Sequence, residues 1–146
     1  MDFLKRVISI LIATFFLFIG SFSVMAAEEP DFSPSDYIIA YYFHSNFRCS
    51  NCHKIEKYTR ESLDKYFAKE FDSGELVYKI INVDEKENAH FIEDYGLYTK
   101  SVILSFIRDG KELEHKNLPK VWEYLDNKDK FYEYIKEEVN GFLSEL

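Results

Sequence analysis

The sequence has few cysteines and no excess of basic charge. Cys49 and Cys52 are the only two cysteines among 146 residues, so no second pair is present to complete a four-cysteine zinc site. The chain carries 18 Lys+Arg against 26 Asp+Glu, a net charge of −8. An acidic chain gains nothing from phosphate backbones or from anionic lipid surfaces. The composition therefore argues against nucleic acid as a partner, and its 47% hydrophobic content argues against intrinsic disorder.

Proline and methionine are also scarce. Two of the three prolines, Pro30 and Pro34, lie in an acidic stretch, which predicts a flexible lead-in over residues 27–36. The third, Pro119, follows the last predicted strand. Both methionines, Met1 and Met25, fall within the first 26 residues, so the remaining chain has no methionine to act as a haem ligand.

The first 26 residues have the plan of a secretory signal peptide. Lys5 and Arg6 precede an apolar run over residues 7–19, and small residues follow up to Ala26 and Ala27. We expect cleavage after Ala26, and the alternative is an uncleaved membrane anchor. The sequence therefore predicts an exported protein, periplasmic or extracellular, with membrane contact only through an uncleaved N-terminal segment. Removing 26 of 146 residues leaves 120, enough for one domain.

Hydrophobic periodicity predicts the order β-α-β-α-β-β-α. Residues 37–43 are almost wholly apolar, which is typical of a buried central strand. Asp109-Gly110 is a hairpin signal that makes the fourth strand an antiparallel edge strand. The other expected elements are a helix from Cys52 to about Phe71 that ends at Gly74, a strand over 76–83, a short helix through Phe91 and Tyr95, strands over 102–107 and 112–116, a helical turn over 118–125 and a helix over 129–143.

The two cysteines form a CxxC motif where the first strand gives way to the first helix. A helix N-terminus presents unpaired N–H groups and a partial positive charge, which stabilise a thiolate. The neighbouring Arg48 adds a full positive charge. We therefore expect the pKa of Cys49 to lie below that of a free thiol. Cys49 is expected to attack a substrate disulfide, and Cys52 to release the bound substrate.

The CxxC motif at this junction, with the element order, resembles the thioredoxin superfamily in its minimal form. The resemblance implies a thioredoxin-like domain over residues 37–146 with a four-stranded mixed sheet flanked by helices. Three stretches, YYFHSNFRCSNCHKIEKYT, NVDEKENAHFIEDYGLYTKSVILSFI and NLPKVWEYL, more closely resemble exported proteins of the nitrophenyl compound nitroreductase subunit ArsF type. The implied partner is a protein thiol or disulfide. The redox-active cysteine pair is then the only cofactor implied.

Two departures from thioredoxins concern the surroundings of the cysteines. Thioredoxins have a cis-proline before the third strand of this unit, where this chain has Ser101. We expect the peptide bond before Ser101 to be trans, because a cis bond before a non-proline residue costs about 3 kcal/mol. They also bury an aspartate on the first strand, whereas residues 37–43 contain no carboxylate. Ser101 and His44, which ends the first strand, are candidate supporting residues. Phe47 is either an exposed contact beside the cysteines or a packing residue.

Other chemistries remain open for the cysteine pair. It could be a structural disulfide, although closing so short a loop stabilises little. The letters CSNCH over residues 49–53 also match a c-type haem attachment pattern. An accessory or metal-binding subunit that serves a partner redox protein is the main alternative function. Zinc would need two further ligands, from a second chain or from the histidines His44, His53, His90 and His115.

Overall fold

The computed structural model describes residues 34–146, so the predicted export signal and most of the lead-in lie outside the described residues. The elements follow the predicted order, with one additional helix and a 3-10 turn. They are β1 (Asp36–His44), α1 (Ser50–Tyr66), α2 (Ala68–Ser73), β2 (Leu76–Asn82), a 3-10 turn (Lys86–Asn88), α3 (His90–Asp94), β3 (Ser101–Arg108), β4 (Lys111–Asn117), α4 (Lys120–Glu123) and α5 (Lys128–Leu143).

The strands form one mixed sheet in the order β2-β1-β3-β4. β1 runs parallel to β2, while β3 is antiparallel to both β1 and β4. Asp109 and Gly110 both have positive φ angles, 50° and 73°, as a tight hairpin between β3 and β4 requires. This sheet with its flanking helices confirms the predicted thioredoxin-like α/β fold. β4 is exposed along its whole length, as expected for an edge strand.

The predicted helix from Cys52 to Phe71 is two helices. Phe67 adopts a non-helical conformation with φ −129° and ψ 31°, and it separates α1 from α2. Its ring is buried in the core. An apolar residue at this position fits a continuous helical pattern equally well, so periodicity alone does not reveal the break. Gly74, with φ 78°, ends α2 as predicted.

Alternate residues of β1 build two cores on opposite faces of the sheet. Ile38, Ala40 and Tyr42 face α1 and α5 in the larger core. Ile39, Tyr41 and Phe43 face the second, smaller core, which α3 and the residues after it complete through Phe91, Tyr95 and Leu97. β1 is therefore covered on both faces, which explains its continuous apolar sequence. Within residues 34–146 no helix is long and apolar enough to cross a bilayer.

Candidate active site

The cysteine pair lies at the N-terminus of α1. Cys49 is the N-cap residue of this helix, and its sulfur accepts a hydrogen bond of 3.2 Å from the backbone N–H of Cys52. The two residues form a disulfide, with their Cα atoms 5.1 Å apart. Cys49 is partly exposed, whereas only 1% of Cys52 is accessible. A sulfur nucleophile outside can therefore reach Cys49, while Cys52 is shielded.

A charged pair is formed by residues on either side of the two cysteines in the chain. The guanidinium of Arg48 pairs with the carboxylate of Glu56, and each side chain is about one-quarter exposed, at 23% and 26%. Glu56 is one helical turn beyond Cys52, about 6 Å along the axis. Arg48 Nε and Nη2 and Glu56 Oε2 are buried and have no other hydrogen-bond partner among residues 34–146. The positive charge predicted to act on Cys49 is therefore shared with a carboxylate, and Glu56 does not lie on the solvated face of the helix where the pattern placed it.

Two tyrosines of the sheet donate hydrogen bonds to backbone carbonyls in the first turns of α1. The hydroxyl of Tyr42 on β1 donates a buried 2.7 Å hydrogen bond to the carbonyl of Cys52. The hydroxyl of Tyr78 on β2 donates to the carbonyl of Glu56 at 3.4 Å. Burial raises the pKa of Tyr42, an increase that the Arg48 charge opposes, and burial also raises the pKa of Tyr78. Both phenols therefore remain protonated donors at neutral pH and hold the first two turns of α1 against the sheet.

The other predicted supporting residues surround the carboxyl end of β1. Ser101 is buried, opposite Phe43 in the β1–β3 register, and its hydroxyl donates to the carbonyl of Thr99 at 3.0 Å. The His44 ring nitrogen Nδ1 lies 3.0 Å from the carbonyl oxygen of Ser45. Phe47 is 76% exposed, so it is an exposed residue of the loop that leads to Cys49. Every peptide bond of the described residues is trans, including the one before Ser101.

A cavity of about 140 Å³ opens at this end of the sheet. Its wall is formed by the end of β1, the residue after β2, and the segment from α3 to β3. Its lining is mainly apolar and includes Phe43, Val83, Ile92 and Leu97. His44 and Ser45 also line it, so the cavity shares residues with the loop that carries the cysteines.

A second polar cluster lies on the β3–β4 hairpin. The carboxylate of Glu112 accepts hydrogen bonds from the buried Ser105 hydroxyl and from the Tyr95 hydroxyl, the latter at 2.5 Å. The Nδ1 atom of His115 lies 3.0 Å from the same carboxylate. Burial raises the pKa of Glu112, but these three hydrogen-bonding partners outweigh it and hold the pKa below its usual value. Within residues 34–146 no three His, Cys, Asp or Glu side chains are grouped so that they could hold a metal ion.

The sequence analysis did not identify Glu56, Tyr42 or most of the cavity wall as part of the site. The i, i+4 spacing from Cys52 to Glu56 was a usable signal, because it puts both residues on one face of α1. Tyr42 gave no signal, since a tyrosine in a buried strand is ordinary core. The cavity residues gave none either, because they come from separate segments of the chain.

No protein-family model matches this sequence, and no curated protein matches it. Solved structures with a similar fold include oxidized thioredoxin O2 from Arabidopsis thaliana, 16% identical with a TM-score of 0.39 over 66% of this chain and 76% of that chain. Reduced Schistosoma mansoni thioredoxin is 16% identical with a TM-score of 0.40, over 66% of this chain and 81% of that chain. Plasmodium falciparum thioredoxin is 15% identical with a TM-score of 0.40, over 68% and 80%. The thioredoxin-like fold of this chain follows from the order and pairing of its strands.

Proposed function

We propose that this protein is an exported thiol–disulfide oxidoreductase that uses the Cys49–Cys52 pair. The observation that carries the proposal is a disulfide at the N-terminus of α1 with one accessible and one buried cysteine. A structural disulfide has no need of an accessible sulfur, and so short a loop removes little entropy from the unfolded chain. An exchange site needs one accessible and one shielded sulfur. The accessible sulfur attacks the substrate, and the shielded sulfur afterwards resolves the mixed disulfide.

The proposed reaction transfers two electrons through a mixed disulfide. In the reduced protein the Cys49 thiolate attacks one sulfur of the substrate disulfide, and the second substrate sulfur leaves as a thiolate and takes up a proton. Cys52, after losing its proton, then attacks the Cys49 sulfur and releases the first substrate sulfur. The protein ends with the Cys49–Cys52 disulfide and the substrate with two thiols. The reverse sequence oxidises a substrate dithiol.

The residues around the pair support these steps. The free N–H groups of the first turn of α1 and the Arg48 charge both favour the Cys49 thiolate. The hydrogen bond from the Tyr42 hydroxyl to the Cys52 carbonyl holds in place the first turn of α1, which brings the two sulfurs together. The closer resemblance to exported ArsF-type subunits supports a dedicated partner outside the cytoplasm, where disulfides persist.

A redox titration of the Cys49–Cys52 pair in glutathione buffers tests the proposal. An exchange enzyme is expected to titrate reversibly between dithiol and disulfide. Its dithiol form should reduce the disulfides of insulin, or its disulfide form should oxidise a substrate dithiol. A pair that stays oxidised across the whole glutathione range is a structural disulfide. Stoichiometric metal after purification in reductant indicates the metal-binding or accessory alternative. N-terminal sequencing of the protein recovered from outside the cytoplasm tests export and cleavage after Ala26.

A further inference from the structure

β4 is the open edge of the sheet. The order β2-β1-β3-β4 leaves one side of β2 and one side of β4 without a neighbouring strand among residues 34–146. Every residue of β4 is exposed, whereas in β2 only Lys79 and Ile80 are. An edge strand whose N–H and C=O groups are unpaired is a template on which another strand can pair.

The hydrogen bonds to β3 show which backbone groups of β4 face outwards. The N–H of Leu118, just after β4, donates to the carbonyl of Val102 on β3 at 2.9 Å. In an antiparallel ladder alternate residues turn both polar groups to the neighbouring strand, so Lys116 bonds to β3 as Leu118 does. The N–H and C=O groups of His115 and Asn117 therefore point away from β3 into solvent.

Side-chain contacts hold this edge in a fixed shape. The carboxylate of Glu112 accepts a hydrogen bond from Ser105 on β3 and lies 3.0 Å from Nδ1 of His115. Lys116 forms an ion pair with Glu138 on α5. Because β4 is already ordered by these contacts, pairing with a second strand costs it little conformational entropy.

The charges on either side of His115 are complementary to those of a second, antiparallel copy. When His115 lies opposite His115 of the second copy, each Glu114 lies opposite Lys116 of the other chain. Opposite charges in directly opposed positions favour strand pairing. A register shifted by two residues instead sets Lys116 opposite Lys116 or Glu114 opposite Glu114. Charge therefore selects the register centred on His115.

Glu114 also lacks a cation in the single chain. Within residues 34–146 no lysine, arginine or histidine lies within ion-pair distance of its carboxylate. In the register centred on His115 the second copy supplies that cation through its Lys116. An unrelated strand brings no such match to this charged edge.

We propose that β4 is a homodimer interface, in which two copies of this chain pair antiparallel with His115 at the centre. Each copy uses the same edge, so the contact has two-fold symmetry and closes at two chains. The irregularity between Phe106 and Ile107 shifts the β3–β4 register before Glu114. The regular edge is therefore confined to residues 114–117, and so short an interface makes a weak, concentration-dependent dimer.

This dimer leaves both cysteine pairs open. β4 runs parallel to β1, because both strands are antiparallel to β3. The Cys49–Cys52 disulfide follows the carboxyl end of β1. Antiparallel pairing of β4 therefore places the two disulfides at opposite ends of the combined sheet. Association is measured on the oxidised protein without any exchange reaction, so its outcome is independent of the proposed function.

Small-angle X-ray scattering at increasing concentration tests the dimer. Between about 10 µM and about 1 mM the apparent mass should rise from one chain towards two. Glu114→Lys sets lysine opposite lysine, and Lys116→Glu sets glutamate opposite glutamate, so each variant alone should associate about tenfold more weakly. Glu87→Lys makes the same charge change at an exposed position away from β4 and should leave association unchanged.

An equimolar mixture of the Glu114→Lys and Lys116→Glu proteins tests the register. In the mixed dimer every opposed pair again has opposite charges, so the mixture should associate as strongly as the wild type. A wild type that is monomeric at about 1 mM would overturn the proposal. A dimer that both single variants retain would also overturn it, as would a mixture that does not recover association.

Amide hydrogen exchange and a proline variant locate the contact without a change of charge on Glu114 or Lys116. Protection of the His115 and Asn117 N–H groups should increase with concentration, whereas that of the Lys116 N–H, already bonded to β3, should not. His115→Pro removes an N–H that faces solvent, so it should keep the β3–β4 pairing and abolish the dimer. Concentration-dependent protection elsewhere with none at His115, or a dimer that survives His115→Pro, would show that the copies meet through another surface.

Discussion

Arg48, the residue before the first cysteine, pairs with Glu56, one helical turn beyond the second. Each side chain is about one-quarter exposed, and Arg48 Nε and Nη2 and Glu56 Oε2 are buried. Residues 37–43 supply no carboxylate to this region, so Glu56 on α1 provides the negative charge nearest to Cys52 along the helix. The two charges act on the thiolate in opposite senses, and their balance sets its stability.

Glu56→Gln should make Cys49 more reactive. Removing the carboxylate leaves the Arg48 charge uncompensated, which favours the thiolate and lowers the pKa of Cys49. The same change leaves a largely buried guanidinium unpaired, which should cost about 1–3 kcal/mol of unfolding free energy. Alkylation rate against pH measures the first effect, and urea unfolding the second.

Two variants control for this result. Arg48→Gln should slow alkylation at neutral pH, the opposite change. Glu87→Gln removes the same charge from an exposed position and should leave the alkylation profile unchanged. If Glu56→Gln and Arg48→Gln shift the profile in the same direction, charge balance does not explain the reactivity. A wild-type midpoint at or above about 8.5, the value of a free cysteine, would contradict the expected stabilisation of the thiolate.

The two cysteines should have different roles. Cys49→Ser should abolish exchange, because the accessible nucleophile is lost. Cys52→Ser should instead accumulate mixed disulfides with substrate, since the buried sulfur that resolves them is missing. Non-reducing gel electrophoresis with mass spectrometry detects these adducts. Accumulation in the Cys49→Ser variant would reverse the assignment.

The loop before β3 should restrict the choice of substrate. Thr99 and Lys100 lie in this loop, and Ser101 is the first residue of β3. Trp122 Nε1 donates a 3.0 Å hydrogen bond to the Lys100 carbonyl. A trans backbone here changes the groove that would bind a peptide as an added strand. We expect weak reduction of insulin by the wild type, and an altered rate in Ser101→Pro. Insulin reduction as fast as by an ordinary thioredoxin, or no change in Ser101→Pro, would show that this loop does not set specificity.

The Glu112 cluster should make stability depend on pH. Hydrogen bonds hold the pKa of Glu112 below its usual value of 4.5 in the folded state. Its stabilising contribution is therefore complete above about pH 4.5 and is lost as the pH falls through the folded-state value. Glu112→Gln should cost about 1 kcal/mol at pH 7, because the carboxylate is partly solvated, and less at pH 3. Thermal unfolding at both pH values measures the difference.

A variant on the same strand provides the comparison for Glu112. Glu114 is exposed on β4, and Glu114→Gln should change stability little at either pH. If the cost of Glu112→Gln is the same at pH 3 and pH 7, the charge of the carboxylate is not what stabilises the hairpin.

The strand and helix order could be predicted from the sequence because each element depends on local spacing. The apolar run of β1, the Asp109-Gly110 turn and the CxxC at a strand–helix junction are contained in short stretches. The break at Phe67 was not predictable, because burial of that ring depends on the helix and strands packed around it. The covering of the second sheet face by the short helix α3 likewise depends on contacts with β1.

The sequence by itself determined that two cysteines stand at a helix start after a buried strand. The tertiary structure decided what surrounds them. Arg48 pairs with Glu56 rather than pointing freely at the sulfur, and Ser101 turns its hydroxyl to its own loop. The cavity beside the cysteine loop joins residues as distant in the chain as Phe43 and Leu97. Local periodicity determines which face of an element is apolar. Which charges and rings come into contact depends on how the elements pack, because those contacts form between segments far apart in the chain.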